Sequence, residues 1–195
     1  MTAFRKPQVA LTSKAAPFAI LAERTADVAM REALLDACFG ENRHDRTCQR
    51  LRDGRAPAAG LALSAVREGT LVGTVRLWHV SAGGRPALVL GPLAVDPACR
   101  ELGIGAALMQ QALAAARARG HAAVILLGDA PYYARFGFST EKTGALVLPG
   151  PFERDRLLAI EFTDGALDGA EGQIVPTGAA LAKRWVVRAL QAHAA

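Results

Sequence analysis

The sequence predicts an α/β (α+β) protein in which a mixed central β-sheet is flanked by helices. Gly60–Arg67 and Leu71–Val80 are β-like runs separated by Glu68-Gly69-Thr70, a hairpin signal. The apolar run Ala87–Val95, the helical stretch Gly103–Arg119 and the all-apolar run Ala122–Leu127 then follow in strand–helix–strand order. A short, continuously apolar strand after a helix is typical of buried parallel pairing. The composition supports a real core. Of 195 residues 51% are hydrophobic but only 6% aromatic, so alanine, valine and leucine supply most of it.

Residues 1–16 read as a loose tail, 17–163 as the domain and 164–195 as a C-terminal extension packing on it. Phe18–Leu21 is a short strand candidate. Thr25 and Asp27 are plausible N-terminal caps for a helix whose face carries Val28, Leu34, Leu35 and Cys38 and which Phe39-Gly40 ends. Glu41–Arg55 is polar, with Arg43, Arg46, Arg50, Arg52 and Arg55 scattered through it, and reads as a loop or short exposed helix with a solvated face. Ala82-Gly83-Gly84-Arg85-Pro86 is a turn. Gly91-Pro92 interrupts the following strand, and proline's missing N–H suggests a bulge or an unpaired stretch there. Pro131–Phe136 forms a short helix ending at Gly137, and Leu146–Leu148 and Leu157–Phe162 are further strands. Beyond the acidic, glycine-rich Asp164–Gly172, the stretch Gly178–Ala192 reads as an amphipathic helix striped by Leu181, Trp185, Ala189 and Ala192. Packing on the domain is its default role, and a homodimer contact is the alternative.

Several function classes are excluded. The longest apolar runs fall well short of the roughly 20 residues a membrane span needs. Met1–Pro17 has scattered charges and no apolar run, so no secretory signal is expected. The 3 cysteines, Cys38, Cys48 and Cys99, have no CxxC spacing, which supports neither a disulfide framework nor a zinc site. A cytoplasmic, metal-free protein is expected. Lys+Arg 23 against Asp+Glu 18 gives a net charge of +5, which raises the expectation of an anionic partner, whether nucleic acid, membrane or phosphorylated cofactor. Arg43–Arg55 lacks interleaved aromatics for base stacking, so no nucleic acid is expected, and no membrane.

The informative segment runs from Leu90 to Leu108. A buried strand ends at Val95, a turn at Pro97 follows, and a helix opens near Gly103. First-turn amides of a helix have no internal partner, and the dipole adds positive potential there. Gly103 and Gly105 let a ligand approach the backbone, Ala106 keeps the next position small, and Arg100 adds a charge. Such an end suits a diphosphate. A Rossmann fingerprint would need a third glycine where Leu108 stands, and a P-loop would need G-K-[ST]. The same glycines would also serve tight helix–strand packing.

Arg100-x-x-Gly103-x-Gly105 resembles motif A of the GNAT acetyltransferases, and Leu93–Pro97 is similar to that family's fourth strand and exit turn. Downstream, Tyr132-Tyr133-Ala-Arg-Phe-Gly137-Phe138 resembles the family's second signature. The likeness spans Phe18–Phe162, and Gly128-Asp129-Ala-Pro-Tyr-Tyr is similar to a bacterial YhbS-like subgroup. The resemblance implies a sheet splayed between strands 4 and 5 and an acetyl-CoA-dependent N-acetyltransferase. It further implies that Leu93, Ala94 and Val95 pair with the pantetheine arm. The diphosphate falls to Arg100, Glu101, Leu102, Gly103, Ile104, Gly105 and Ala106. Tyr133 becomes the general acid, Arg135 a contact for the 3′-phosphate and Tyr132 a packing residue. The acceptor would be a small-molecule or peptide amine, bound between Glu41–Arg55 and the loop near Pro149–Arg154. Two departures stand out. Asp129 stands near where many members have an asparagine, and Ala87–Val95 holds no carboxylate. The base is then His79, Glu41, His44, Asp129 or a water chain. The missing carboxylate also keeps alive a catalytically silent acyl-CoA-binding sensor or partner module.

Overall fold

β1 (Ala19–Ala22), β2 (Ala62–Arg67), β3 (Thr70–Ala82) and β4 (Arg85–Val95) form an antiparallel meander in a computed structural model that describes residues 17–181. The β2–β3 turn places Glu68 and Gly69 at φ of 52° and 80°, the paired left-handed conformation that matches the twist of a tight hairpin. After α2 (Ile104–Ala118), β5 (Ala123–Leu127) pairs with β4 in parallel, and β7 (Leu157–Glu161) runs antiparallel beside β5. The 8-stranded mixed sheet follows the order β1-β2-β3-β4-β5-β7. β8 (Gly172–Pro176) pairs with the end of β3 and with the short β6 (Leu146–Val147).

Strand alternation builds two cores. Leu88 and Leu90 of β4, with Val124 and Leu126 of β5, pack beneath α2 against Ile104, Leu108 and Met109. Ala87, Val89, Ala123 and Ile125 point the other way, toward Leu51, Leu146, Leu157 and Ile174. Burial on both faces explains why these strands read as unbroken apolar runs. α1 (Val28–Phe39) covers that second face at the opposite end of the sheet, where Leu34 and Leu35 meet Leu71 and Ala94.

The sheet opens in its middle. β4 and β5 pair only at Leu88↔Val124 and Val89↔Ile125. Beyond that point β4 stays with β3 through Leu93↔Val75, Ala94↔Thr74 and Val95↔Gly73, while β5 stays with β7 through Leu127↔Leu157. Each strand keeps its outer partner and loses the inner one. Gly91-Pro92 stands at the parting, where proline offers no N–H to a ladder.

Three features depart from the sequence reading. Glu41–Asp45 and Thr47–Leu51 are short 3-10 helices, and Leu51 is fully buried, so this stretch is only partly a solvated face. Arg50 Nη1 donates to the Pro149 carbonyl at 2.6 Å and Thr47 Oγ1 to that of Pro151, tying the stretch to the late loop. β8, which the sequence reading places within the C-terminal extension without assigning a strand, joins the sheet. Gly178–Leu181, where the C-terminal helix was expected to begin, is not helical: Ala180 bridges Arg55 and the Leu181 N–H donates to the Gly54 carbonyl. The rest of that expected helix, and the expected tail at 1–16, lie outside the described residues.

Candidate active site

The parting of β4 and β5 leaves a cleft of about 740 Å³. Val89–Leu93 forms one wall, and Leu126–Asp129 with Tyr132 and Tyr133 forms the other. Its roof comes from Leu35 and Phe39 of α1, from the stretch between Arg43 and Arg52, and from Phe152, Glu153 and Arg156. Past Val89, the edge of β4 that faces the cleft has no strand partner among the described residues.

α3 (Ala130–Ala134) sets the two tyrosines. It starts at Asp129, whose carbonyl accepts from the N–H groups of Tyr132 and Tyr133. Gly128 is required beside it, because a Cβ there would lie 2.2 Å from the Tyr133 ring. That ring stands edge-on to Tyr132 and to the buried Phe138, with centroids 4.9 and 6.0 Å away. Burial, helped by the neighbouring Tyr132 and Asp129, pushes the Tyr133 hydroxyl up to about 12. It therefore stays protonated at neutral pH and able to donate. No hydrogen bond ties it to another described residue.

The other predicted elements lie beside the cleft. After Asp96, whose carboxylate accepts from the Ala98 N–H at 2.9 Å, Pro97–Leu102 winds as a 3-10 helix into Gly103 at φ 73°. The first helical bond of α2 is Ala107 N–H to the Gly103 carbonyl, so the amides of Ile104, Gly105 and Ala106 lack an intrahelical acceptor. Ile104 sends its side chain into the core, Leu102 packs against that core, and Arg100 and Glu101 are exposed. A Cβ on Gly105 would sit 3.3 Å from the Tyr132 hydroxyl. Tyr132, expected merely to pack, therefore spans from the cleft to the opening of α2. The Arg135 guanidinium, exposed, lies 3.9 Å from the Tyr132 ring centroid.

Of the sequence-predicted site residues, Leu93 and Tyr133 line the cleft; Ala94, Val95, Arg100–Ala106 and Arg135 do not. Ala94 faces α1 and Val95 packs on the main core, which leaves their backbone as the part able to meet a ligand. Among the candidate bases, Asp129 lines the cleft; His79, Glu41 and His44 do not. His79 instead faces His121, with ring centroids 5.3 Å apart.

Sequence reasoning missed an ion-pair chain that supports the roof. Arg76 bonds Glu23, Glu23 bonds Arg31 at 2.6 Å, Arg31 bonds Glu32, and Glu32 and Asp36 both bond Arg43. Burial raises the Glu32 carboxyl, but its bonds from Arg31 and Arg43 outweigh that and hold it below its ordinary value. Its members come from β3, the loop after β1, α1 and the first 3-10 helix, so no local pattern announces it. The thiols of Cys38 and Cys48 are both pushed up by burial and are poor nucleophiles. No cluster of His, Cys, Asp and Glu suited to a metal occurs among the described residues, and no described helix is long and apolar enough to cross a membrane.

Known proteins are similar to this chain in sequence and fold. The E. coli protein described as the uncharacterized N-acetyltransferase YhbS is 30% identical over 145 residues, covering 73% of this chain and 86% of that one. The crystal structure of YhbS from E. coli in complex with CoA superposes with a TM-score of 0.72 at 28% identity, covering 85% of this chain and 93% of the other. A GNAT family acetyltransferase from Brucella melitensis in complex with acetyl-CoA gives 0.63 at 26% identity, covering 82% and 96%. Residues 28–138, more than half of the chain, match the profile of the acetyltransferase (GNAT) family. With its split sheet, its glycine-opened helix and its paired tyrosines, the chain belongs to that family.

Proposed function

We propose that the chain is an N-acetyltransferase using acetyl-CoA to acetylate a primary amine by direct attack in a ternary complex. The observation that carries this reading is Tyr133, half-buried and with its hydroxyl protonated, lining the same cleft as the unpaired edge of β4. The residues fit the cosubstrate: three free amides open α2, and Gly105 has no side chain to block them. The cosubstrate supplies the activated acetyl thioester. Backbone groups of Leu93, Ala94 and Val95 orient its arm, and an amide there polarises the thioester carbonyl. The amides of Ile104–Ala106 hold the diphosphate, with Arg100 adding charge at the turn.

Asp129 takes a proton from the acceptor ammonium, directly or through water, because only the neutral amine attacks and its pKa stands near 10 in water. As the N–C bond forms and the C–S bond breaks, Tyr133 gives its proton to the departing thiolate, the attacking nitrogen loses its second proton to water, and Tyr133 is reprotonated from solvent. Neither step uses a metal ligand or a thiol of this chain. The test is a thiol-release screen of an amine library with acetyl-CoA, paired with mass detection of the acetylated product. Acetyl transfer to at least one amine class is expected. Tight CoA binding with no thiol release from any amine would instead mark a silent acyl-CoA-binding module.

A further inference from the structure

Arg52 stands in the roof of the cleft with its charge unanswered. Its Nε is buried and has no hydrogen-bond partner among the described residues. Its Nη1 lies 3.8 Å from the position a Cβ on Gly91 would take, which puts the guanidinium where β4 leaves β5. Burial pulls its pKa below the ordinary arginine value, and the charges of Arg43 and Arg76 act in the same direction. A guanidinium does not shed its proton at neutral pH, so Arg52 remains a half-buried cation whose Nε is fully out of solvent. Asp53 offers some attraction, but its Oδ1 already accepts from Gln49 Nε2 at 2.7 Å.

The other arginines nearby are occupied. Arg43 is held by Glu32 and Asp36, and Arg76 by Glu23. Arg156 lies 3.7 Å from Glu153, and Arg46 stacks on Phe39 at 5.0 Å and donates to its carbonyl. A buried charge without a partner opposes folding, and such a cost persists where a ligand answers it. The partner is therefore sought in what enters the cleft.

We infer that Arg52 is the anion-recognition residue of the acceptor half, and that the acceptor is an amine that also carries a carboxylate. The guanidinium fork holds that carboxylate while the amino group faces Asp129 and Tyr133. This rests on the acetyltransferase reading above. A carboxylate fits better than a phosphate: Asp45, Asp129 and Glu153 line the same cleft and would repel a dianion. A single guanidinium also matches a carboxylate with two parallel bonds.

The experiment compares acetylation of the common amino acids with that of their amides, which keep the amine and side chain but lose the charge. Wild-type protein should prefer the acid in at least one pair by about tenfold or more in kcat/KM, the scale of a charge-assisted pair of hydrogen bonds. Arg52→Met should abolish that preference by lowering the acid alone, and Arg52→Lys should restore part of it. The acetyl-CoA affinity of Arg52→Met should be unchanged and its melting temperature no lower, because the variant removes a half-buried charge whose Nε has no partner among the described residues. A wild type indifferent to the carboxylate, or an Arg52→Met that loses both partners of each pair equally, would overturn the inference. If no pair is acetylated, the acetyltransferase reading fails for these acceptors, and calorimetry on CoA-loaded protein decides the anion site separately. Uptake of amino acids but not amides by wild type, and of neither by Arg52→Met, would sustain it; no uptake, or uptake by both proteins, would overturn it.

Discussion

The β4 and α3 half of the cleft, with the opening of α2 beside it, offers mainly backbone groups, whereas the half formed by α1, Arg43–Arg52 and Phe152–Arg156 presents most of the charged side chains. In the first half the useful groups are the unpaired edge of β4 and the free amides at the opening of α2. Glycines expose them, and Ile104, Leu108 and Met109 anchor the helix that carries them. In the second half Arg43 is positioned by an ion-pair chain crossing several elements, and Arg50 reaches a carbonyl 99 positions along the chain. Backbone recognition suits a constant ligand part such as a diphosphate or an amide-rich arm. Side-chain recognition can be exchanged residue by residue, which suits an acceptor that differs between relatives.

The sharpest way to break the first half alone is Gly105→Val. Its side chain would enter the space beside the Tyr132 hydroxyl and cover the free amides, while the helix tolerates valine at small cost. Acetyl-CoA affinity should fall at least about 100-fold, the scale of several lost charge-assisted bonds. Calorimetry together with an unchanged circular dichroism spectrum checks this. Gly103→Val is the poorer probe, because φ of 73° there would strain the fold as well.

Tyr133→Phe acts at the seam between the halves. It leaves the ring packing on Phe138 in place, so folding and cofactor affinity should hold while single-turnover acetyl transfer slows about 10²–10⁴-fold. Because the hydroxyl is held at about 12, the rate should show no alkaline loss from this residue below pH 10. A fall between pH 8 and pH 9 that vanishes in the phenylalanine variant would assign Tyr133 a different state.

Glu32→Gln loosens the second half alone. It removes the carboxylate shared by Arg31 and Arg43, and stability should drop by about 1 kcal/mol, with the acceptor KM rising several-fold and acetyl-CoA affinity unchanged. Since the folded carboxyl titrates below its unfolded value, its contribution is complete above about pH 4.3 and disappears as the pH falls further. Thermal melts of the two proteins should therefore lie closer together at pH 3 than at pH 7.

The smallest effect is expected for Tyr132→Phe. Losing a hydroxyl that borders Gly105 should weaken acetyl-CoA binding only a few-fold, the worth of one hydrogen bond, with kcat nearly unchanged. An equal loss of kcat in the two tyrosine variants would erase the distinction between them.

The same contrast explains what the sequence disclosed. Leu88, Val89 and Leu90 are buried on alternating faces, so the central strand announces itself, and the spacing of Arg100, Gly103 and Gly105 marks a helix opening within seven residues. Tyr133 was singled out through the likeness of Tyr132–Phe138 to the family's second signature, a compact stretch in which its contacts Gly128, Asp129 and Phe138 are sequence neighbours. β8 stayed hidden because only Ile174 of its residues is buried, leaving no apolar run or alternation to detect. Arg52 looked like one more solvated arginine. Its burial depends on the folding of the Thr47–Leu51 turn onto Pro149 and Pro151, contacts that no local spacing encodes.

The division of the cleft is tested most directly by amide hydrogen exchange with and without CoA. The free amides of Ile104, Gly105 and Ala106 should exchange fast in the empty protein and slow markedly on binding, together with the edge of β4 from Leu93 to Val95. Amides from Arg43 to Arg52 should be little affected until an acceptor is added. Protection confined to Arg43–Arg52, with none at Ile104–Ala106, would place the cosubstrate in the charged half and contradict the account.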